Sequence, residues 1–188
     1  MKAIFLDKDG TLVDDLPYNV EQRRITLCLG VGAGLRLLAR LDYRLFVVTN
    51  QDGIAHGYFG EEDVEGVAHR LTQLLFRERV NLEGFYYCPH HPAGSVVPYV
   101  HECNCRKPKP GMLLQAAHDH GIDLRASWMV GDILHDIEAG NRAGCRTLLI
   151  DNGNETEWRL GPRRIPTRMA PDLYAAASLI AEEDKVPR

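Results

Sequence analysis

Apolar residues along the chain fall into two alternating patterns. Short runs rich in β-branched and aromatic residues suit strands buried on both faces: "KAIFLD" (2–7), "YRLFVVTN" (43–50), "GFYYC" (84–88), "SWMVGD" (127–132) and "RTLLID" (146–151). Between them, apolar positions recur at helical spacing over 31–41, over "EEDVEGVAHRLTQLLFRERV" (61–80), over "GMLLQAAHDHG" closed by Gly121, and over "DIEAGNRAG" stopped at Gly144. Residues 152–170 are rich in Gly, Pro and Arg and predict a long loop, and "APDLYAAASLIAEE" predicts a last short strand and helix. Strand and helix in alternation imply an α/β fold, doubly wound about a mostly parallel sheet, whose ligands gather at the carboxyl ends of the strands. A length of 188 residues suits one domain over 1–188.

That topology selects the residues that matter. The first, second and fourth runs end near Asp7, Thr49 and Asp132, which therefore converge on one edge of the sheet. Asp7 and Asp9 flank one lysine in "LDKDGTL", and the following Gly10 lets the chain turn so that both carboxylates reach a common point. Asp132 and Asp136 in "GDILHD" stand four apart at the start of a helix, where they share a face. An isolated acid pair is most often a loop or helix cap. Four carboxylates at one pocket repel one another unless a divalent cation balances them, and hard oxygen ligands favour Mg²⁺.

Composition narrows the surroundings. A net charge of −4 offers no global attraction to nucleic acid or to an anionic membrane, so an anionic ligand needs a local site. No apolar run reaches the ~20 residues of a membrane helix, and the N-terminus lacks the long apolar region of a secretory signal. A cytoplasmic monomer is expected. In a reducing compartment the cysteines of "CPHHPAGSVVPYVHECNCRKPKPG" (88–111) suit a metal better than a disulfide such as Cys88–Cys103. Cys88 with His90 or His91 forms one pair and Cys103 with Cys105 another, which together suit a structural, tetrahedral Zn²⁺. Cys28 and Cys145 are isolated and read as small buried hydrophobes.

The ordered series "DKDGT", a strand ending in Thr49, Lys107 and "GDILHD" resembles the haloacid dehalogenase (HAD) superfamily of phosphohydrolases over residues 2–151. The resemblance implies that Asp7 is the nucleophile, forming an aspartyl-phosphate, and that Asp9 is the general acid and then the base. It implies Mg²⁺ held by the Asp7 carboxylate, the Asp9 carbonyl and Asp132, with Asp136 in support. Thr49 and Asn50 fall to phosphoryl or substrate binding, and Lys107 supplies a point charge to the phosphoryl group.

"CPHHP", "CNCRKPKPGM" and "TNQDGIAHGYF" (49–59) are similar to a narrower branch, the heptose 1,7-bisphosphate 7-phosphatases, with the histidinol-phosphate phosphatases as relatives. That likeness selects His90 as the fourth zinc ligand beside Cys88, Cys103 and Cys105. It further implies a zinc loop over 88–105 in place of a large cap domain, and Arg106 reaching a small phosphorylated sugar. Asp52 stands where the heptose enzymes more often carry serine, which leaves histidinol phosphate as the alternative substrate. The arginines of "WRLGPRR" (158–164) suit either a second anionic group or a solvated loop.

Overall fold

A computed structural model describes residues 1–185, so the last three residues of the expected domain, 186–188, lie outside it. Six strands form one sheet: β1 (Ala3–Leu6), β2 (Arg44–Asn50), β3 (Gly84–Cys88), β4 (Trp128–Gly131), β5 (Arg146–Ile150) and β6 (Arg168–Ala170). Their order is β3-β2-β1-β4-β5-β6, and every neighbouring pair is parallel. All four residues of β1 are buried, as an unbroken apolar run in a central parallel strand requires.

Among the described residues six α-helices are interleaved with the strands: α1 (Val31–Arg40), α2 (Gly53–His56), α3 (Glu61–Arg77), α4 (Gly111–His120), α5 (Leu134–Ala143) and α6 (Leu173–Glu183). Because successive strand residues point to opposite faces, each central strand feeds two cores. Ile4, Leu6, Leu45, Val47, Trp128 and Val130 pack under α1, α3 and α6, whereas Ala3, Phe5, Phe46, Val48 and Met129 pack under α4 and α5. Among the described residues no helix is long and apolar enough to cross a membrane, and no large cap separates the sheet from the loops above it.

The structure differs from the sequence pattern at two points. The expected last strand is present as β6 but starts at Arg168, inside the segment read as a loop, because a three-residue edge strand is too short to show a period. The helix carrying Asp136 begins at Leu134, so Asp132 sits in the strand-to-helix turn and not on the helix. Strand order reverses about β1, with β2 and β3 on one side and β4, β5 and β6 on the other, so the crevice of the fold opens beyond its carboxyl end.

The two faces of α3 make a stability prediction. Leu71 is fully buried and Phe76 is 72% exposed. Leu71→Ala should cost about 2–5 kcal/mol and Phe76→Ala less than about 0.5 kcal/mol, read as urea midpoints at unchanged slope.

Candidate active site and metal centres

Asp7 follows β1 directly, and its backbone N–H continues the ladder to the Val130 carbonyl at 3.0 Å. Its carboxylate Oδ1 accepts a hydrogen bond from Lys107 Nζ at 2.7 Å. The same ammonium donates to the Val48 carbonyl at 3.0 Å and lies 2.7 Å from Asp136 Oδ1, off the hydrogen-bonding direction, as an ion pair. Lys107 is only 3% exposed and Asp136 is wholly buried. Asp136 spends its other oxygen on the Ile133 N–H at 3.2 Å, so both of its oxygens have partners within the protein.

Two glycines make this crowding possible. Gly10 has φ +76°, and a Cβ there would lie 2.0 Å from Asp132 Oδ2. A Cβ on Gly131 would lie 2.3 Å from Asp136 Oδ2. Asp132 accepts from Thr11 Oγ1 at 3.2 Å and from Asn154 Nδ2 at 2.7 Å. The Asp9 carboxylate has partners of its own: Lys8 Nζ holds one oxygen and Gln51 Nε2 the other at 3.2 Å. Gln51 Nε2 also donates to Thr49 Oγ1 at 3.0 Å, tying the two residues together.

Oxygen atoms of Asp7, Asp132 and Asp136 lie within 4.8 Å of one another, all on buried residues. Three carboxylates face one ammonium, leaving two surplus negative charges in a site that water does not screen. Burial, then Asp7, then Asp136 push the Asp132 carboxyl up to about 8. Burial and Asp7 push Asp136 up to about 6 against the pull of Lys107. Burial works against the Lys107 charge too, but Asp136 and Asp7 outweigh it and hold its pKa above that of a free lysine. Burial also raises Asp9, opposed by Lys8. An all-oxygen donor set with that surplus fits a hard divalent cation.

A second cluster lies at the end of β3, where Cys88 pairs in register with Asn50. The sulfurs of Cys88, Cys103 and Cys105 are 3.0, 3.3 and 3.5 Å apart, far beyond a disulfide bond of about 2.05 Å. His90 Nδ1 lies 3.3 Å from the Cys105 sulfur and 3.6 Å from that of Cys88. These separations approach the edges of a tetrahedron around zinc, given Zn–S and Zn–N bonds of about 2.3 and 2.0 Å. Hydrogen bonding within the cluster lowers the Cys105 thiol to about 5 and raises that of Cys88. His91 takes no part: its Nδ1 accepts the Ala93 N–H at 3.1 Å, and its ring packs on His56.

The cluster leads directly to the site. The Arg106 N–H donates to the Cys103 sulfur at 3.3 Å, and the Arg106 guanidinium pairs with Asp52 at 2.8 Å. Asn50 grips the Lys107 backbone from both sides, accepting its N–H at 3.0 Å and donating to its carbonyl at 3.1 Å. Asn50, read from the sequence as a ligand of substrate, thus has its amide occupied in positioning Lys107. Two arginines of the 158–164 segment are paired with acids, Arg159 with Glu157 and Arg164 with Glu138. The same loop instead supplies Asn154 to Asp132, Asn152 to the Gly10 carbonyl at 2.7 Å, and Glu155 to the first turn of α5 through the Leu134 N–H at 2.7 Å. Their one signal was a run of short polar residues after a strand end. A cavity of about 260 Å³ opens beside Asp9, lined by Asp15, Tyr18, Asn19, Gln51, Asp52 and Phe59 among others.

A strand-end aspartate against a buried lysine, in a parallel sheet of this order and without a large cap, defines a phosphatase of the HAD-like hydrolases, and residues 104–176 match the HAD-hydrolase-like family model. The D-glycero-β-D-manno-heptose-1,7-bisphosphate 7-phosphatase of Escherichia coli (strain K12) is 45% identical over 148 residues, 79% of this chain and 78% of the relative. That of Haemophilus influenzae is 47% identical over 139 residues, 74% of this chain and 75% of the relative. A solved structure of the D,D-heptose 1,7-bisphosphate phosphatase from B. bronchiseptica, complexed with magnesium and phosphate, superposes with a TM-score of 0.79 at 28% identity, covering 97% of this chain and 99% of that one. The chain belongs to the heptose-1,7-bisphosphate 7-phosphatase family.

The raised carboxyls fix the sign of a pH dependence. Folded Asp132 and Asp136 keep protons that an unfolded carboxyl with an ordinary value of 3.8 gives up. What these two groups contribute to stability without a bound cation is therefore greatest below the unfolded value and is lost as pH rises through about 6 to about 8. Relative to an Asp132→Asn variant, the thermal midpoint should fall between about pH 5 and about pH 8, and added Mg²⁺ should recover more of the difference at the upper end.

Proposed function

We propose that the protein hydrolyses the 7-phosphate of D-glycero-D-manno-heptose 1,7-bisphosphate through an aspartyl-phosphate on Asp7. The observation that carries this reading is the Asp7–Lys107 pair at 2.7 Å on the carboxyl end of the central strand. A free Asp7 oxygen attacks phosphorus, the bond from phosphorus to the sugar oxygen breaks, and Asp9 gives its proton to the departing alkoxide. Burial supports that role for Asp9, because it holds the carboxyl above its ordinary range. Asp9 then takes a proton from water, which attacks phosphorus; the bond to Asp7 breaks and inorganic phosphate leaves. Lys107 neutralises charge on the phosphoryl oxygens, and Thr49, held by Gln51, offers them a hydroxyl.

In this reading Asp7, the Asp9 carbonyl and Asp132 hold Mg²⁺, which supplies further positive charge where the phosphoryl group carries its negative charge. Asp136 serves as the partner of Lys107. Cys88, His90, Cys103 and Cys105 hold a structural Zn²⁺ that fixes the segment delivering Arg106 and Lys107. One observation favours histidinol phosphate as a second reading: Asp9, Asp15 and Asp52 all line the cavity beside the site. An acid-lined cavity suits a substrate whose far end is cationic.

Three measurements test these readings. Asp7→Asn should reduce phosphate release from the heptose bisphosphate by at least about 10³-fold, and retained turnover would remove Asp7 as nucleophile. Comparing kcat/KM on the heptose bisphosphate and on histidinol phosphate separates the two substrates. Elemental analysis of protein purified without chelator should find one zinc per chain, and Cys105→Ser should lose it together with several degrees of thermal midpoint.

A further inference from the structure

The cavity beside Asp9 has an unusual charge for a site that is to receive a bisphosphate. The charged side chains among its lining residues are three carboxylates, Asp9, Asp15 and Asp52, and one cation, Lys8. Lys8 is already bound to Asp9. Arg106 is brought to this rim by the cysteine-rich segment, and its Nη2 lies 2.8 Å from Asp52 Oδ2. Its Nη1 is turned to the His90 carbonyl at 3.4 Å. Both side chains of the pair are about three-quarters buried, so solvent screens the carboxylate only in part. The Tyr18 ring also lines the cavity, and it feels both Asp52 and Arg106.

An anionic group arriving at this rim meets a guanidinium whose charge is already neutralised at contact distance. It must either displace the Asp52 carboxylate or sit beside it, and both cost affinity in proportion to the charge it carries. A hydroxyl, or a group with little charge, meets no such obstacle. From this geometry we infer that Asp52 is a specificity-determining residue. It sets the preference between bisphosphate and monophosphate substrates by competing for Arg106 with the group distal to the reacting phosphate. The inference rests on the phosphatase reading of the Asp7 site and not on the identity of the sugar.

Removing the carboxylate frees the fork of Arg106 and takes one negative charge from the rim. Both changes favour the more highly charged ligand.

The test uses competition, so that it does not depend on which sugar is turned over. Fructose 1,6-bisphosphate and fructose 6-phosphate are titrated as inhibitors of p-nitrophenyl phosphate hydrolysis by the wild type and by Asp52→Asn, Asp52→Ser and Asp52→Glu. The ratio of the two inhibition constants should move towards the bisphosphate by about 10-fold in the Asn and Ser variants and stay near the wild-type value in the Glu variant. A carboxylate that merely pins the loop would shift both constants together and leave the ratio where it was. An unchanged ratio, or one that moves towards the monophosphate, overturns the inference. A failure of the heptose bisphosphate to be hydrolysed would bear on the sugar alone and leave this ratio readable.

Discussion

The Lys107 ammonium sits between Asp7 and Asp136 with a third contact to the Val48 carbonyl, at 3% exposure. A buried cation is tolerated only when it is well paired, and removing one member of such a pair costs about 3–5 kcal/mol. Lys107 belongs to no helix or strand. Its position has to be imposed on a loop, and the surroundings of that loop read as a series of devices for doing so. Asn50 clamps its backbone from the end of β2, and the four-residue cysteine–histidine cluster folds the excursion from β3 back on itself. The neighbouring Arg106 is tethered in turn to the turn after β2.

The same constraint explains why the acid cluster is arranged unevenly. Asp136 faces Lys107 and the first turn of its own helix, so it neutralises the cation and orients it. Asp132 faces neutral donors, Thr11 and Asn154, and has no cation in contact, so burial and the neighbouring carboxylates raise it further than Asp136, which Lys107 holds down. Such a cluster is unfavourable for the folded state at neutral pH and suits a site prepared for a cation. Here the demands of binding and of stability point in opposite directions, as they commonly do where charge is concentrated for function.

Much of this could be read in the chain beforehand, and the reason is geometric. Parallel strands buried on both faces have to be apolar throughout, so their ends, and with them Asp7, Thr49 and Asp132, stand out as the first polar residues after an apolar run. Cys88, Cys103 and Cys105 were legible because few other roles gather that many soft ligands in one segment, whereas His90 was separated from His91 only by the family likeness. Asp136, Asn50 and Asn154 were not legible in their observed roles. Each is defined by a partner distant in sequence: Lys107 for the first two, across 29 and 57 positions, and Asp132 for the third, across 22. Nothing in local spacing distinguishes an acid that faces a metal from one that faces a lysine. The loop after β5 likewise lacks any period, and nothing local sets the short polar side chains that reach the site apart from its arginines.

A phosphatase without a large cap has to obtain selectivity from the rim of its sheet. Three loops meet there: the one after β1 with Asp15 and Tyr18, the one after β2 with Asp52 and Phe59, and the cysteine-rich excursion after β3 with Arg106. The first two line the cavity directly, and the third joins them through the Asp52–Arg106 pair. Charge at the rim is therefore shared between loops, and a change in one alters what the others present to the substrate. Asp7 and Lys107 are isolated from that variation by burial, so the rim can differ in charge and shape without disturbing the pair beneath it.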